Sequence, residues 1–378
     1  MHRGGTVARL GGDEFVVLQT DVKTPEDVAH LAQHIIETIA APYKIGDHEF
    51  LIGVSVGVEL SGQPPSSAEA LIKNADIALY MAKAQGRGTF RFFEPDMDSQ
   101  LRSRHQLESD LRRAVAERQF ELHYQPIVDV VSGRVCAFEA LLRWNHPDRG
   151  LMTPSEFIGA AEESGVIIPI GEWVIQQACW QAASWADRIR VAVNLSPVQF
   201  RAVSLAPVIR EALAATGIAA HRLELEIAEP VLLQSSDHNL GVLHQLRELG
   251  VSIVLDNFGV GYSSMSFLRR FPFSKIKIDR SFVRDLVAEP DAVYFVRAIV
   301  DLCRNLGIKT TAEGVETVEQ LAVLMDEGCT ELQGYLLGRP GPAACAEDAI
   351  VNARLIPSRR KSRALSSAAA EYATRAAI

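Results

Sequence analysis

The residues with the clearest chemical potential are carboxylates, amides and one lysine that lie at or near the ends of successive β-like runs. The set comprises Glu139, Asn194, Glu226, Asp256, Asn257, Lys277, Asp279, Glu313 and Gln333. Carboxylates that converge on one edge repel one another and are costly to bury unless cations neutralise them. Any one of these acids alone would more often be a helix cap or a solvated strand end, but five such strand ends together favour a site.

These side chains offer oxygen ligands and include neither Cys nor His, which is the donor chemistry that Mg²⁺ and Mn²⁺ prefer. Two such ions can activate a water molecule and stabilise the charge that builds on a phosphoryl group. Lys277 adds a positive charge for the nucleophile or the phosphate. The pattern therefore predicts a two-metal site for phosphoryl chemistry.

Alternating strand and helix patterns must position these residues. We predict strands at 120–131, 134–142, 190–195, 222–227, 252–255, 275–278, 308–312 and 329–332, with helices between most of them. Eight strands in about 225 residues match the size of a (β/α)₈ barrel. Only residues 131–134 join the first two strands, too few for a helical crossover, so we expect this pair to be antiparallel.

Composition and charge limit the classes of function. The chain has 378 residues, of which 48% are apolar and 22% charged, which is typical of soluble globular proteins. Lys and Arg number 38 against 47 Asp and Glu, and the net charge of -9 argues against a general DNA or RNA binder. The five cysteines form no C-x-x-C pair, and there is neither a membrane-spanning run nor a signal segment. We therefore expect a cytoplasmic location.

Several short motifs resemble those of EAL domains, the cyclic di-GMP phosphodiesterases. In chain order they are Tyr124-Gln125-Pro126, Glu139-Ala140-Leu141-Leu142-Arg143-Trp144, Asn194-Leu195-Ser196, Glu226-Ile227-Ala228-Glu229, Asp256-Asn257-Phe258-Gly259, Lys277-Ile278-Asp279, Ala312-Glu313-Gly314-Val315-Glu316 and Gln333-Gly334-Tyr335. A lone Glu-Ala-Leu would be meaningless, but the full series in family order over roughly residues 105–345 is very specific.

The resemblance implies a TIM-like barrel with an antiparallel first strand and hydrolysis of cyclic di-GMP to linear pGpG. By this resemblance, the metal ligands are Glu139, Asn194, Glu226, Asp256 and Glu313. It matches Lys277 to the lysine that helps activate the water, and Glu313 and position 257 to the catalytic set. Arg143 matches the substrate-phosphate contact, with Gln125 and Gln333 around the ligand pocket. Glu229 matches the anchor of the loop after the fifth strand. EAL domains also commonly pair through the barrel, so a homodimer is expected.

One departure from the family pattern concerns activity. The family has Asp-Asp-Phe-Gly where this chain has Asn257 in the second position, and the family-usual Thr is replaced by Ala228 and Val260. Asparagine keeps the shape and one oxygen ligand but loses the charge and any function as a base. Two hypotheses follow, a phosphodiesterase of reduced activity and a cyclic di-GMP receptor that does not cleave. An unrelated carboxylate-metal barrel enzyme is a weaker third, because Arg143, Asn194 and Lys277 all match the phosphodiesterase pattern.

The front of the chain has a different character. Arg9-Leu10-Gly11-Gly12-Asp13-Glu14-Phe15 resembles the signature hairpin of GGDEF domains, the diguanylate cyclases, as do Ser55–Val58 and Ala75–Lys83. The strand, metal-binding aspartate and nucleotide contacts that this family carries upstream are absent, so we expect no cyclase activity. The predicted organisation is a truncated GGDEF-like domain at 1–93, with too few elements for a complete α/β domain. A helical connector at 94–110, the EAL barrel at 111–346 and a tail at 347–378 follow.

Overall fold

The structure is a computed structural model, and it describes residues 5–46, 48–62, 67–229, 231, 237–259, 268, 271 and 273–351. The chain divides into two compact units, Met1–Leu107 and Glu108–Ile378. Within the described ranges, no helix has the length and apolar character needed to cross a membrane.

The first unit consists of short, separate sheets and helices. Strands β1 (Gly5–Gly11) and β2 (Glu14–Gln19) form an antiparallel hairpin, as do β3 (Tyr43–Ile45) and β4 (His48–Phe50), whereas β5 (Val56–Val58) pairs in parallel with β6 (Phe90–Phe92). The helices are α1 (Pro25–Ala40), α2 (Ala68–Ala84) and α3 (Met97–Glu117), which contains the boundary between the units. The predicted signature hairpin is therefore present.

Strand β5 does not pair with residues 43–50, which precede it in the chain. Residues 43–50 already fold back on themselves around Gly46, whose φ of 61° suits glycine, so their partner is local. The backbone of β5 instead lies directly on α2, where a Cβ on Gly57 would come within 1.9 Å of the Ala75 carbonyl oxygen. Close backbone packing on a helix thus determines where β5 lies.

The second unit is the predicted closed barrel. Its strands are β7 (Phe120–Asp129), β8 (Val135–His146), β10 (Arg190–Leu195), β11 (Leu223–Ala228), β12 (Ser252–Phe258), β13 (Lys275–Ile278), β14 (Lys309–Ala312) and β15 (Glu331–Gln333). They pair in this order, β15 returns to β7, and β8 closes the barrel by pairing with β10. Strand β9 (Gly150–Met152) pairs antiparallel with the last residues of β8, outside the ring.

The antiparallel first strand is confirmed. Strand β7 runs antiparallel to both β8 and β15, while the other neighbours in the ring are parallel. The turn after β7 is tight because the amide of Gly133 donates to the Asp129 carbonyl at 2.8 Å, with Gly133 at φ 67°. The amide of Ser132 donates to the Asp129 side chain at 2.7 Å. Such a short reversal leaves no room for a crossover helix.

Helices on the outside connect the parallel strands. They are α4 (Pro154–Glu163), α5 (Ile167–Ala183), α6 (Pro197–Phe200), α7 (Leu205–Thr216), α8 (Asp237–Glu248), α9 (Arg280–Arg284), α10 (Pro290–Leu306), α11 (Val318–Glu327) and α12 (Ala343–Val351). Capping boxes begin α4 at Thr153 and α11 at Thr317, so the first backbone amides are satisfied. These helices bury apolar side chains against the ring, which fixes the strand ends.

A group of paired charges lies at the amino-terminal end of the barrel. Lys275 lies 2.7 Å from Glu224 and 2.6 Å from Glu331, and Arg190 lies 2.7 Å from Glu331. All four belong to the first residues of their strands. Lys309, whose largely exposed side chain lies 3.4 Å from Glu331, adds a third positive charge. Burial would raise the pKa of Glu331, but Lys275 and Arg190 outweigh burial and hold that pKa at about 2.

We predict acid sensitivity of the barrel from this group. Because the carboxyl of Glu331 has an ordinary pKa of 4.5 in the unfolded chain and about 2 in the folded one, its contribution is present above pH 4.5. The contribution is lost as the pH falls from about 4.5 towards 2. Urea unfolding should show a free-energy difference between wild type and Glu331→Gln that shrinks over this range. A difference independent of pH would contradict the assignment.

Candidate active site at the carboxyl end of the barrel

The predicted site residues converge on the opposite end of the same barrel. Asn194, Glu226, Asp256 and Lys277 lie within β10, β11, β12 and β13, and Glu313 directly follows β14. Because these strands are parallel, their carboxyl ends meet at one mouth. Strand β7 runs the other way, so it contributes Gln125 from mid-strand, opposite Glu139 on β8, and β15 contributes its last residue, Gln333.

Lys277 is the centre of the group. Its side chain is 1% exposed, and its Nζ lies 2.7 Å from Glu226 and 2.6 Å from Glu313. The same nitrogen lies 3.3 Å from Glu139 and 3.7 Å from Asp256. Four carboxylates thus surround one ammonium group, which leaves a formal excess of three negative charges when all of them are ionised.

Amide side chains hold Glu139 in place. Asn194 donates to one carboxylate oxygen of Glu139 at 2.6 Å, and Gln333 donates to the other at 2.6 Å. Gln333 also donates to Gln125 at 3.1 Å, and Gln125 donates to the Gly338 carbonyl at 3.1 Å. Residues predicted separately as metal ligands and as pocket residues therefore form one hydrogen-bonded chain.

Burial and mutual charge shift the acidities in this cluster. Burial raises the pKa of Glu226 well above its usual range, against the attraction of Lys277, and the surrounding carboxylates add to the rise. Burial likewise raises the pKa of Glu313 to about 7. For Glu139 burial acts the same way, but Lys277 and the amide hydrogen bonds outweigh it and lower the pKa.

The lysine itself stays charged. Burial would lower the pKa of Lys277, but the surrounding carboxylates outweigh burial and hold the pKa well above its usual value. A protonated ammonium group donates hydrogen bonds and stabilises negative charge. It does not accept a proton from water.

A β-bulge presents Asp256 and Asn257 together. In β12, Leu255 pairs with Ile276 and Phe258 pairs with Ile278, so two residues of β12 stand opposite the single residue Lys277. Asn257 is exposed and has a φ of 54°, a left-handed conformation that Asn tolerates better than most residues. Its side-chain amide donates to Asp256 at 3.0 Å. The bulge was not predicted, because the register of a strand depends on its partner strand.

Two further predicted residues lie near the cluster. Arg143 is half-buried on β8, where its guanidinium donates to the Leu142 carbonyl at 2.8 Å, and burial lowers its pKa. Glu229 follows β11, is only 6% exposed, and has both carboxylate oxygens buried without a hydrogen-bond partner among the described residues. Most of the loop after β12 that Glu229 was predicted to anchor, including Val260, lies outside the described residues.

The donor set fits a divalent cation. Buried oxygens of Glu226, Asp256 and Gln333 lack a hydrogen-bond partner in the described ranges, and oxygen donors with excess negative charge suit Mg²⁺ or Mn²⁺. The same part of the chain contains no group of three or more His, Cys, Asp or Glu already spaced for a metal ion. The carboxylates are instead drawn towards Lys277, so binding requires some of them to turn away from its ammonium group.

The fold and the site together define a carboxylate-lined (β/α)₈ barrel, and comparisons with known proteins give its family. The EAL domain family matches residues 108–340, and the diguanylate cyclase, GGDEF domain family matches residues 1–89. Since the first match covers more than half of the chain, the chain belongs to the EAL domain family. Within the same chain, a GGDEF segment precedes the EAL domain.

Two curated proteins illustrate the relationship. The bifunctional diguanylate cyclase/cyclic di-GMP phosphodiesterase MucR of Pseudomonas aeruginosa is 44% identical over 342 residues, which cover 89% of this chain and 50% of MucR. Cyclic di-GMP phosphodiesterase PdeR of Escherichia coli is 39% identical over 344 residues, covering 90% of this chain and 52% of PdeR. The chain spans about half the length of the curated relatives it matches.

Solved structures agree on the barrel. The PaMucR phosphodiesterase in its c-di-GMP complex has a TM-score of 0.61 and 45% identity, covering 64% of this chain and 99% of that chain. The FimX EAL domain of Pseudomonas aeruginosa bound to c-di-GMP has a TM-score of 0.59 and 25% identity, covering 62% of this chain and 96% of that chain. The predicted fold class is therefore confirmed.

We predict that Mn²⁺ stabilises the barrel through this cluster. An ion that binds only the folded state at about 100 times its Kd adds about 2.7 kcal/mol to the free energy of unfolding. Thermal unfolding with and without Mn²⁺ should show a rise in Tm for wild type and a much smaller rise for Asp256→Asn. Glu319→Gln, at an exposed position of α11, serves as the matched control and should respond like wild type. Equal responses of all three proteins would place the ion elsewhere.

Proposed function

We propose that the barrel hydrolyses one phosphodiester bond of cyclic di-GMP and releases linear pGpG. In this reaction a water oxygen forms the new bond to phosphorus, the P–O3′ bond breaks, and the departing 3′ oxygen takes up a proton. The observation that carries the proposal is the buried Lys277 among four carboxylates at the mouth of an EAL family barrel. The names of MucR and PdeR, which include phosphodiesterase activity, support it.

The roles proposed for individual residues follow from their positions. Glu139, Asn194, Glu226, Asp256 and Glu313 would hold Mg²⁺ or Mn²⁺. When bound, such ions make water a better nucleophile and stabilise charge on the phosphoryl group. Lys277 would donate hydrogen bonds to the attacking water and to the carboxylates that orient it. Arg143 would contact a phosphate of the substrate, and Gln125 and Gln333 would line the nucleotide pocket.

A second candidate function is a receptor that binds cyclic di-GMP without cleaving it. The observation that favours it is the Asn257 amide, which donates to Asp256 at 3.0 Å where a second carboxylate would attract a cation. That amide supplies a hydrogen-bond donor instead of a negative charge, which weakens the hold on a second ion and removes a base. The retained Lys277 and Glu313 favour hydrolysis, because binding alone has no evident need of them.

We predict slow turnover of cyclic di-GMP by the parent protein, faster with Mn²⁺ than with Mg²⁺, and faster again in Asn257→Asp. Restoring a general base raises a rate by roughly 10²- to 10⁴-fold, and the added charge strengthens the second metal position. Chromatography of pGpG against time measures both effects. Asn305→Asp makes the same change at an exposed position of α10 and should leave the rate unaltered.

Three outcomes separate the hypotheses. Tight binding without pGpG in the parent, with turnover gained in Asn257→Asp, would establish the receptor. Equal turnover by the two proteins would refute the claim that Asn257 weakens the second metal position. If neither protein bound the nucleotide, both functions would be wrong.

We also propose that the N-terminal unit makes no cyclic di-GMP. The signature carboxylates Asp13 and Glu14 are exposed on the hairpin. The large apolar side chains of Leu10 and Phe15 are also exposed, at 60% and 61%. A hairpin of this kind lacks the buried charge that would hold metal-bound GTP.

We expect no cyclic di-GMP when the chain is incubated with GTP and Mg²⁺. Because the barrel could consume any product, the assay should use Lys277→Met, which removes the central ammonium group. Added cyclic di-GMP must survive in that sample, which controls for consumption. Accumulation of cyclic di-GMP from GTP would contradict the assignment of the N-terminal unit.

A further inference from the structure

A pair of stacked aromatic rings lies directly behind the bulge that carries Asp256 and Asn257. Phe282 on α9 and Phe295 on α10 have ring centroids 4.4 Å apart and planes only 15° apart. Gly259 rests against both rings, since a Cβ there would lie 2.9 Å from Phe282 Cε2 and 3.2 Å from Phe295 Cε1. Its φ of 101° also belongs to the region that glycine favours. The backbone therefore turns on the surface of this stack.

The exposure of Phe295 indicates that it is not an ordinary core residue. Its side chain is 41% exposed, on a helix whose next residue towards the N-terminus, Tyr294, is 63% exposed. Burial can therefore account for only part of the stability that such a large apolar ring contributes. It stacks flat on Phe282, and Gly259 approaches its ring closely. The second of these contacts lies directly after the end of β12.

The stack completes the restraint on the bulge. On the upstream side, Leu255 is fixed by its pairing with Ile276, and on the downstream side Phe258 pairs with Ile278. Gly259 then meets the two rings, so the chain cannot move away from β13 at that point. A bulge leaves its extra residue unpaired, and its position depends on what holds the chain on either side.

We propose that Phe282 and Phe295 are positioning residues that hold Asp256 and Asn257 against Lys277. This inference rests on the proposed function, which gives these two side chains their part in metal binding and hydrolysis. Without the stack, Gly259 loses its support and the bulge shifts relative to Lys277. Gln125, Arg143 and Gln333 lie on other strands, so nucleotide binding should change less than the chemical step.

The test compares Phe295→Ala with Phe295→Tyr and Tyr294→Ala. A displacement of about 1 Å at a reacting group can cost roughly 10²-fold, so we expect kcat of Phe295→Ala to fall about 10- to 100-fold. KM for cyclic di-GMP should change less than about threefold, because the contacts that hold the substrate equally in the ground state and the transition state are retained. The Mn²⁺ concentration for half-maximal effect should rise. Phe295→Tyr keeps the ring and should behave like wild type, as should the neighbouring Tyr294→Ala.

A measurement independent of turnover separates this inference from the proposed function. Mn²⁺ affinity, measured by calorimetry, should weaken in Phe295→Ala and not in Tyr294→Ala, even if the wild type proves to be a receptor without activity. Wild-type kcat and Mn²⁺ affinity in folded Phe295→Ala would overturn the inference, as would an equal loss in Tyr294→Ala. If Phe295→Ala does not fold, Phe282→Leu provides the same comparison with apolar volume retained.

Discussion

The attraction between the Lys277 ammonium group and the carboxylates around it is the interaction on which the carboxyl end of the barrel depends. A single buried charge of either sign would be strongly unfavourable, and four carboxylates without a partner would repel one another. Lys277 allows the four carboxylates to converge, but its single positive charge does not fully neutralise their negative charge. The remaining negative charge favours the divalent cations proposed for this site, so the group that stabilises this end of the barrel is also the one to which the proposed chemistry is assigned.

The two ends of the barrel show the difference between a structural and a chemical use of charge. At the amino-terminal end, Glu224 and Glu331 are fully paired with positive charges, from Arg190 and Lys275 inside the group and from the more exposed Lys309. At the carboxyl end, buried oxygens are left without partners among the described residues. Both groups are built from the same kinds of side chain on neighbouring strands. The number of charges, more than their burial, distinguishes a closed network from one that has room for a ligand.

Much of this architecture could be predicted from the sequence. The strand count, the antiparallel β7 and the convergence of the site residues followed from hydrophobic patterns, a four-residue connection and polar residues at strand ends. The pairing of β5 was not predictable, because it depends on the close approach of Gly57 to α2. The bulge at Asp256 and Asn257 was also missed, since register depends on the partner strand. The proximity of Phe282 and Phe295 required the relative position of two helices, which local periodicity does not contain.

The left-handed backbone at Asn257 has an evolutionary consequence. Asn and Asp are the two residues other than glycine that adopt this conformation most readily, and they have nearly the same shape. Their codons differ by one base, so a single mutation in either direction changes the charge at the proposed metal site while the bulge and the barrel keep their geometry. Under the proposed function, that one change would exchange hydrolysis of cyclic di-GMP for its detection, or reverse the exchange, without a compensating change in the fold.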